Sequence, residues 1–266
     1  MRILISNDDG ILAPGLRAMA IALATEHEVT VVAPDRERSA TGHALTLHKP
    51  LRVDEVEIGG KVRAAYAVSG TPSDCIKLAT CTLLPELPDM IFSGINRGPN
   101  LGSDVLYSGT VSAAREGALL GISAVAMSLA NFSDQGYEQA AEFAVMLARL
   151  LKTYALPPKV LLNVNYPDVK DGSYEGIRVT RLGERRYSDV FEPRIDPRGK
   201  TYYWLAGDVL EIDDDPDTDT HAIRNRCVSI TPIHYDMTHR ATISEIEKWD
   251  IPSLFADRPI ARKEAM

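Results

Sequence analysis

The start of the chain constrains the fold most, because it contains a strand, a helix and a second strand in quick succession. An apolar run at 3–5 is followed by a helix expected over 14–24, whose apolar residues recur at helical spacing. A second apolar run extends over 28–33 and stops at Pro34. Two strands joined by a single helix form a βαβ unit, which requires parallel strands in one sheet.

The same alternation continues as far as residue 165. We therefore predict an α/β fold with a doubly wound, mostly parallel sheet of the Rossmann-like type. Segments 44–56 and 61–68 alternate around a Gly-Gly pair, which predicts a β-hairpin added to the side of this core. Further strands are expected at 89–93, 123–129 and 160–165, and further helices at 71–83, from 108 onwards and at 135–151.

The chain changes character after residue 184. Residues 1–184 are expected to form the catalytic core, 185–240 an extended β-rich arm, and 241–266 a C-terminal helix and tail. The arm carries many aromatic residues outside the βα alternation, which is more typical of an oligomerisation element than of a second enzyme domain. Its acidic run at 213–219 lacks the ligand spacing of an EF-hand, so we expect a solvated turn there.

Two adjacent carboxylates follow the first strand. Asp8 and Asp9 precede Gly10, which can adopt a positive φ, and ligands of open α/β sheets bind where the chain leaves the carboxyl ends of strands. Paired carboxylates repel unless one is protonated or a cation lies between them, and oxygen ligands suit a hard cation such as Mg²⁺, Mn²⁺ or Ca²⁺. Asp-Gly can also be an ordinary turn. At the end of the first strand we favour a metal site.

Two later loops carry further candidate residues. The loop 35–43 contains Ser39, which is small enough to approach a ligand closely, and His43, which could instead be an ordinary loop histidine. The loop 94–104 combines three glycines with two asparagines, Asn96 and Asn100, so its backbone can approach a ligand.

A helix is expected to begin at Ser108-Gly109-Thr110. The free N–H groups and the dipole of a helix N-terminus favour an anion, so this segment is a candidate phosphate site. Capping of the helix would also explain Thr110. The sequence leaves both interpretations open.

Composition and missing motifs exclude several classes of protein. A net charge of −8 argues against binding to a nucleic-acid polymer or to an acidic lipid surface. No window is long enough for a membrane span, and the chain starts on a strand without a signal peptide, so we expect a cytoplasmic protein. The loop after the first strand also lacks the Gly-x-Gly-x-x-Gly of dinucleotide-binding folds, which counts against NAD and FAD.

Five motifs, in order and correctly spaced, make the chain resemble the SurE family of survival-protein phosphatases, which act as nucleotidases. The resemblance covers essentially the whole length. The motifs are ISNDDG at 5–10, APDRERS at 33–39, SGTPSDC at 69–75, SGINRGPNLG at 93–102 and YSGTV at 107–111.

The resemblance implies one divalent cation per subunit, with Mg²⁺ or Mn²⁺ expected. It also implies metal-dependent release of phosphate from nucleoside 5′- and 3′-monophosphates, sometimes from short polyphosphate, by a homodimer or homotetramer joined through the C-terminal arm. Candidate substrate contacts are Asn7, Asn100 and His43. The implied metal ligands are Asp8, Asp9, Ser39 and Asn96, with Asp8, Asp9 and Asn96 also catalytic.

Two mechanisms stay open at the level of sequence. A water could attack phosphorus in line with an Asp as base, or one Asp could attack and form an aspartyl-phosphate. We prefer water, with Asp9 as the base, because a carboxylate engaged with a metal is a poor nucleophile. A regulatory protein that senses a nucleotide without hydrolysing it is the alternative of another class, and an α/β dehydrogenase is a third.

Overall fold

The computed structural model describes residues 1–133, 135–169, 173–188, 190–211, 215–249, 251 and 253. The chain divides into two compact units, Met1–His234 and Tyr235–Met266. The second unit contains helix α6 (Arg240–Glu247), close to the helix expected after 241, and the tail from 254 lies outside the described residues. Within the described ranges no helix combines the length and apolarity needed to cross a bilayer.

Nine of the described strands form one sheet in the first unit, in the order β3-β4-β2-β1-β5-β6-β7-β13-β8. The six strands from β4 to β7 in this order are parallel, whereas β3 and β13 run antiparallel to their neighbours β4 and β7. The bounds are β1 Arg2–Ser6, β2 Glu28–Pro34, β3 Val53–Glu55, β4 Ala64–Val68, β5 Met90–Arg97, β6 Ser123–Leu129, β7 Val160–Tyr166, β8 Gly176–Val179 and β13 Cys227–His234.

Helices cover both faces of this sheet, as a doubly wound fold requires. Side chains alternate along β1, so Ile3 and Ile5 join one apolar core cluster and Leu4 joins the other. Helices α1 and α4 pack together on the first cluster, and α2 and α3 pack together on the second. The bounds are α1 Pro14–Leu23, α2 Pro72–Leu78, α3 Gly109–Leu119, α4 Tyr137–Thr153 and α5 Asp219–Arg224, with a π-helical turn at Ala79–Leu83 and a 3₁₀ helix at Gly102–Leu106.

The order of the strands creates a switch point beside β1. From β1 the chain passes to β2 and β4 on one side and returns to β5 on the other side. Ser6 of β1 is the register partner of Ser93 of β5, so the residues that follow these two serines leave the sheet side by side. A crevice at such a reversal is the expected ligand site of an open α/β sheet.

The region assigned to the arm contains two small antiparallel pairs, β10 (Val190–Ile195) with β11 (Thr201–Ala206) and β9 (Arg185–Tyr187) with β12 (Val209–Glu211). A further strand in the range 185–240, β13, does not belong to these small pairs and pairs with β7 in the main sheet. The sheet therefore extends beyond residue 184, where we expected the core to end. The division of the chain into core, arm and tail otherwise stays a prediction.

The acidic run is a correction to the sequence analysis. Asp213 and Asp214 lie outside the described residues, but Asp219 is fully buried instead of solvated. Its carboxylate accepts hydrogen bonds from the backbone N–H groups of Gly102 at 2.9 Å and Gly183 at 2.8 Å. Burial raises the pKa of Asp219 despite these bonds. The residue joins the loop after β5 to the segment after β8.

Candidate active site

The turn after β1 is held by the side chain of Asn7. Its amide donates to the Gly10 carbonyl at 2.9 Å and accepts from the Gly10 N–H at 3.2 Å. Gly10 has φ +100°, and a Cβ there would lie 3.0 Å from the carbonyl carbon of Arg36. Asn7 is fully buried, and the contacts of its side chain stabilise the turn that carries Asp8 and Asp9. Its expected contact with substrate stays a prediction.

Asp8 is buried, with 4% of its surface exposed. Its carboxylate accepts a short hydrogen bond from the Thr110 hydroxyl, and its backbone carbonyl accepts from the Arg38 N–H at 2.7 Å. Burial raises the pKa of Asp8, opposed by the Thr110 hydroxyl and by backbone N–H groups that include those of Thr110 and Gly109. Asp8 is therefore a carboxylate held against the N-terminus of α3.

Asp9 is more accessible than Asp8 and is oriented by the next strand. Its Oδ2 accepts a hydrogen bond of 3.1 Å from the backbone N–H of Arg97 at the end of β5. Burial, followed by the charge of Asp8, raises the pKa of Asp9 to about 6. Among the described residues neither carboxylate forms an ion pair with a Lys or Arg side chain. The charge of Arg97 lowers the pKa of Asp9 by less than burial and Asp8 raise it, so a protein cation offsets the two negative groups only in part.

Asn96 reaches the same point from β5. The pairing of β5 with β6 is irregular between Ser93 and Asn96, a bulge of the kind that redirects side chains at the end of a strand. The Asn96 amide donates to the Gly98 carbonyl at 2.9 Å, and its Oδ1 lies 3.3 Å from the Thr110 hydroxyl oxygen. The amide oxygen of Asn96 thus faces the same hydroxyl as Asp8.

Ser39 lies in the loop after β2, which contacts the site through the preceding residue. The preceding residue, Arg38, is bonded to the backbone of Asp8, and the Ser39 hydroxyl donates to the Glu37 carboxylate at 2.7 Å. Ser39 is exposed. The loop therefore carries the fourth of the proposed ligands, after Asp8, Asp9 and Asn96.

The N-terminus of α3 resolves one of the alternatives left by the sequence. Ser108 is the N-cap, since its hydroxyl accepts from the Val111 N–H at 3.1 Å. Capping therefore does not explain Thr110, whose fully buried hydroxyl links Asp8 and Asn96 instead. Gly109 allows close approach, because a Cβ there would lie 2.6 Å from the Asp8 Cβ.

The other two candidate substrate contacts have structural partners. Asn100 is buried, and its side chain donates to the Ser128 hydroxyl at 2.8 Å while its backbone carbonyl accepts from Asn163 and Asn165. His43 contacts the Glu116 carboxylate through Nε2 at 2.8 Å. A role for either residue in binding substrate stays a prediction.

Glu116 is a residue that the sequence analysis missed. It lies on α3 with 4% of its surface exposed and also forms an ion pair of 2.8 Å with Lys77. Hydrogen bonding by His43 lowers the pKa of Glu116 against the effect of burial. The contact ties the loop 35–43 to α3. No local signal marks it, because an acidic residue in a helix is usually solvated.

The donor set suits a hard divalent cation. Two carboxylates, an amide oxygen and a hydroxyl are the ligand types that Mg²⁺ and Mn²⁺ prefer, and a cation would offset the repulsion between Asp8 and Asp9. No group of three or more His, Cys, Asp or Glu side chains in the described part of the chain is arranged to hold a metal. A site here would therefore depend on Asn96 and Ser39 in addition to the carboxylates.

Comparisons with known proteins give matches over most of the chain. Residues 3–189 match the family model described as Survival protein SurE. A protein of Synechococcus elongatus named 5′-nucleotidase SurE is 54% identical over 255 residues, covering 93% of this chain and 98% of the relative. A Nostoc protein of the same name is 51% identical over 95% of this chain and 99% of the relative.

A solved structure is also similar over most of the chain. The crystal structure of the SurE protein from Aquifex aeolicus has a TM-score of 0.81 and 39% sequence identity. The match covers 94% of this chain and 99% of that chain. The sheet and helices described above are therefore those of a known fold.

Proposed function

Because the chain belongs to the SurE family and is a nucleoside monophosphate phosphatase, we propose that it releases phosphate with the help of one divalent cation held at the carboxyl ends of β1 and β5. The observation that carries this proposal is the convergence of Asp8 and Asn96 on the hydroxyl of Thr110. Three elements, β1, β5 and α3, meet there at the switch point of the sheet.

The metal ligands in this proposal are Asp8, Asp9, Ser39 and Asn96, and Mg²⁺ or Mn²⁺ is the expected ion. When bound, such an ion offsets the charge of a phosphoryl group and lowers the pKa of water. The chain's own contribution is to hold the ligands in place. Thr110 orients Asp8 and Asn96, and the Arg97 backbone orients Asp9.

The N-terminus of α3 would bind the phosphoryl oxygens. The dipole of this eleven-residue helix favours negative charge at Ser108, Gly109 and Thr110. The Thr110 hydroxyl and the N–H groups of Gly109 and Thr110 also act on the Asp8 carboxylate, so in this proposal a phosphoryl group shares the donors of the first turn with Asp8.

Asp9 is the group best suited to accept a proton from an attacking water. It is more exposed than Asp8, and the Arg97 N–H fixes one of its oxygens. Asp8 is buried and engaged by Thr110, which leaves it poorly placed to attack phosphorus itself. We therefore favour attack by water over an aspartyl-phosphate.

The wider assignments are also proposals. We propose that 5′- and 3′-monophosphates are both hydrolysed, together with short polyphosphate, and that the protein is a homodimer or homotetramer joined through the arm. The cytoplasmic location and the absence of nucleic-acid polymers as partners stay predictions.

Phosphate release from nucleoside 5′- and 3′-monophosphates, measured with Mg²⁺ or Mn²⁺ and again with a chelator, tests the proposal. We expect turnover of both substrates, loss of turnover on chelation, and recovery when the metal is returned. Undiminished turnover in the chelator would contradict the metal site. Binding of nucleotide without turnover would instead support a sensor.

A further inference from the structure

An aromatic side chain lies on the outer surface of the loop that carries Asn96. Phe132 is in the loop between β6 and α4, and 77% of its surface is exposed. Its ring lies directly over Gly98, where an added Cβ would be 2.5 Å from the ring. Gly98 has φ +95°, a conformation that suits glycine.

The contact with Gly98 places Phe132 beside the catalytic centre. The Gly98 carbonyl accepts the hydrogen bond from the Asn96 amide at 2.9 Å. Asn96 and Gly98 are two residues apart, so their Cα atoms are separated by at most about 7 Å. The ring therefore lies close to a proposed metal ligand.

The loop that carries Phe132 is stabilised by hydrogen bonds of the residues on either side of it. Asn131 donates to the Asp168 carboxylate at 3.0 Å and accepts from the Ser133 N–H at 3.1 Å, which fixes the loop on either side of the ring. The loop therefore keeps its own supports if the ring is removed.

A second exposed apolar side chain lies on the same side of the crevice. Leu12, 82% exposed, comes just before α1, and Phe132 comes just before α4. Since α1 and α4 pack on one face of the sheet and each follows a parallel strand, the loops that precede them both lie at the carboxyl edge. The phosphate end of the substrate is assigned to α3, which lies on the opposite face.

We propose that Phe132, with Leu12 at the same edge of the sheet, forms the subsite for the nucleobase of the substrate. The inference rests on the proposed function, because it assumes that phosphate binds at the start of α3. The base stacks on the Phe132 ring while the ribose crosses the loop at Asn96 and Gly98. Every base has an aromatic face, so stacking of this kind accepts different bases. The subsite thus provides affinity for nucleotides as a class.

The test compares two substrates that share a ribose 5-phosphate group. Adenosine 5′-monophosphate carries a base, and ribose 5-phosphate does not. We expect Phe132→Ala to lower kcat/KM for the nucleotide by about tenfold, mainly through KM, because a stacking contact remote from phosphorus contributes to binding in the ground and transition states alike. For ribose 5-phosphate the change is expected to stay within about twofold.

Two variants serve as controls. Phe132→Tyr keeps an aromatic face and is expected to retain the wild-type preference for the nucleotide. Tyr154→Ala removes another exposed aromatic residue, 68% exposed, at the end of α4 and so at the opposite edge of the sheet. It is expected to leave both substrates unaffected.

Three results would overturn the inference. An equal loss for both substrates would mean that the ring only supports Gly98 and Asn96, and no loss for either would mean that it contacts no substrate. A change of sedimentation in Phe132→Ala would identify the ring as a contact between copies of the chain. Failure of the proposed function is distinguishable, because the wild type would then release phosphate from neither substrate.

Discussion

The Thr110 hydroxyl donates a hydrogen bond to the Asp8 carboxylate and so joins the first turn of α3 to the end of β1. The same hydroxyl lies 3.3 Å from Oδ1 of Asn96. Thr110 is thus a positioning residue for two proposed metal ligands that are far apart in the chain. Its removal should affect the metal site more than it affects the helix.

Replacement of Thr110 by Val keeps the shape of the side chain and removes the hydroxyl. We expect metal affinity and kcat/KM to fall by about tenfold to a hundredfold, as for other residues that orient metal ligands. Thr110→Ser keeps the hydroxyl and should retain most activity. Calorimetric titration of each variant with Mn²⁺ measures its metal affinity and so provides a readout besides turnover. Equal Mn²⁺ affinity in Thr110→Val and the wild type would contradict the positioning role.

The two carboxylates can be tested by removing their charge. We expect Asp8→Asn and Asp9→Asn to abolish phosphate release while the fold persists, because both side chains lie at the end of a strand and outside the apolar core. In the presence of a chelator either variant should melt at a temperature equal to or above that of the wild type, since a repelling charge has been removed. The wild type alone should gain thermal stability from Mn²⁺. Full activity in either variant would exclude the proposed site.

The sequence predicted the parallel strands and their helices because those signals are local, but it did not predict that β13 joins the same sheet. The alternation of apolar runs and amphipathic helices fixed the βα units, and the position of Asp8 and Asp9 at the first strand end pointed to the site. The contacts of Thr110, Glu116 and Asp219 were not predictable in this way. Each depends on how a helix or loop packs against a distant segment. Residue type alone left capping and phosphate binding open at Thr110 and favoured solvation at the two acidic positions.

The Glu116–His43 contact leads to a prediction about acid stability. Hydrogen bonding by His43 lowers the pKa of Glu116 below its ordinary value of 4.5. At a pH between the native pKa and 4.5, the folded state therefore binds fewer protons than the unfolded state. The stabilisation is therefore fully present above about pH 4.5 and is lost as pH falls through the native pKa. Glu116→Gln should be destabilised at pH 7 by about 1–3 kcal/mol and approach the wild type at low pH.

Urea unfolding of the wild type and Glu116→Gln between pH 3 and pH 7 would measure this difference. Glu138→Gln, an exposed position in the first turn of α4, is the matched control and should differ little from the wild type at any pH. A Glu116→Gln deficit that stays constant over the whole pH range would show that the loss comes from packing and not from charge.

The hairpin of β10 and β11 leads to the prediction about assembly. Phe191 lies directly opposite Leu205, and Pro193 lies opposite Tyr203, so these four side chains share one face of the hairpin. Phe191, Tyr203 and Leu205 are each more than 60% exposed, whereas the other face carries the ion-paired Glu192 and Arg194. An isolated two-stranded hairpin is only marginally stable in water. A second copy of the chain could cover the uncharged face.

We therefore expect the wild type to sediment as a dimer or a larger symmetric oligomer at micromolar concentration. The double variant Phe191→Asp, Leu205→Asp places charges on the uncharged face and should shift the protein to monomer, because carboxylates at the centre of an interface would be desolvated without partners. Glu192→Gln alters the opposite face of the same hairpin and should leave the assembly intact. The arm does not join the subunits if the wild type is a monomer, or if the double variant sediments like the wild type. The exposed apolar face of the hairpin would then require another partner.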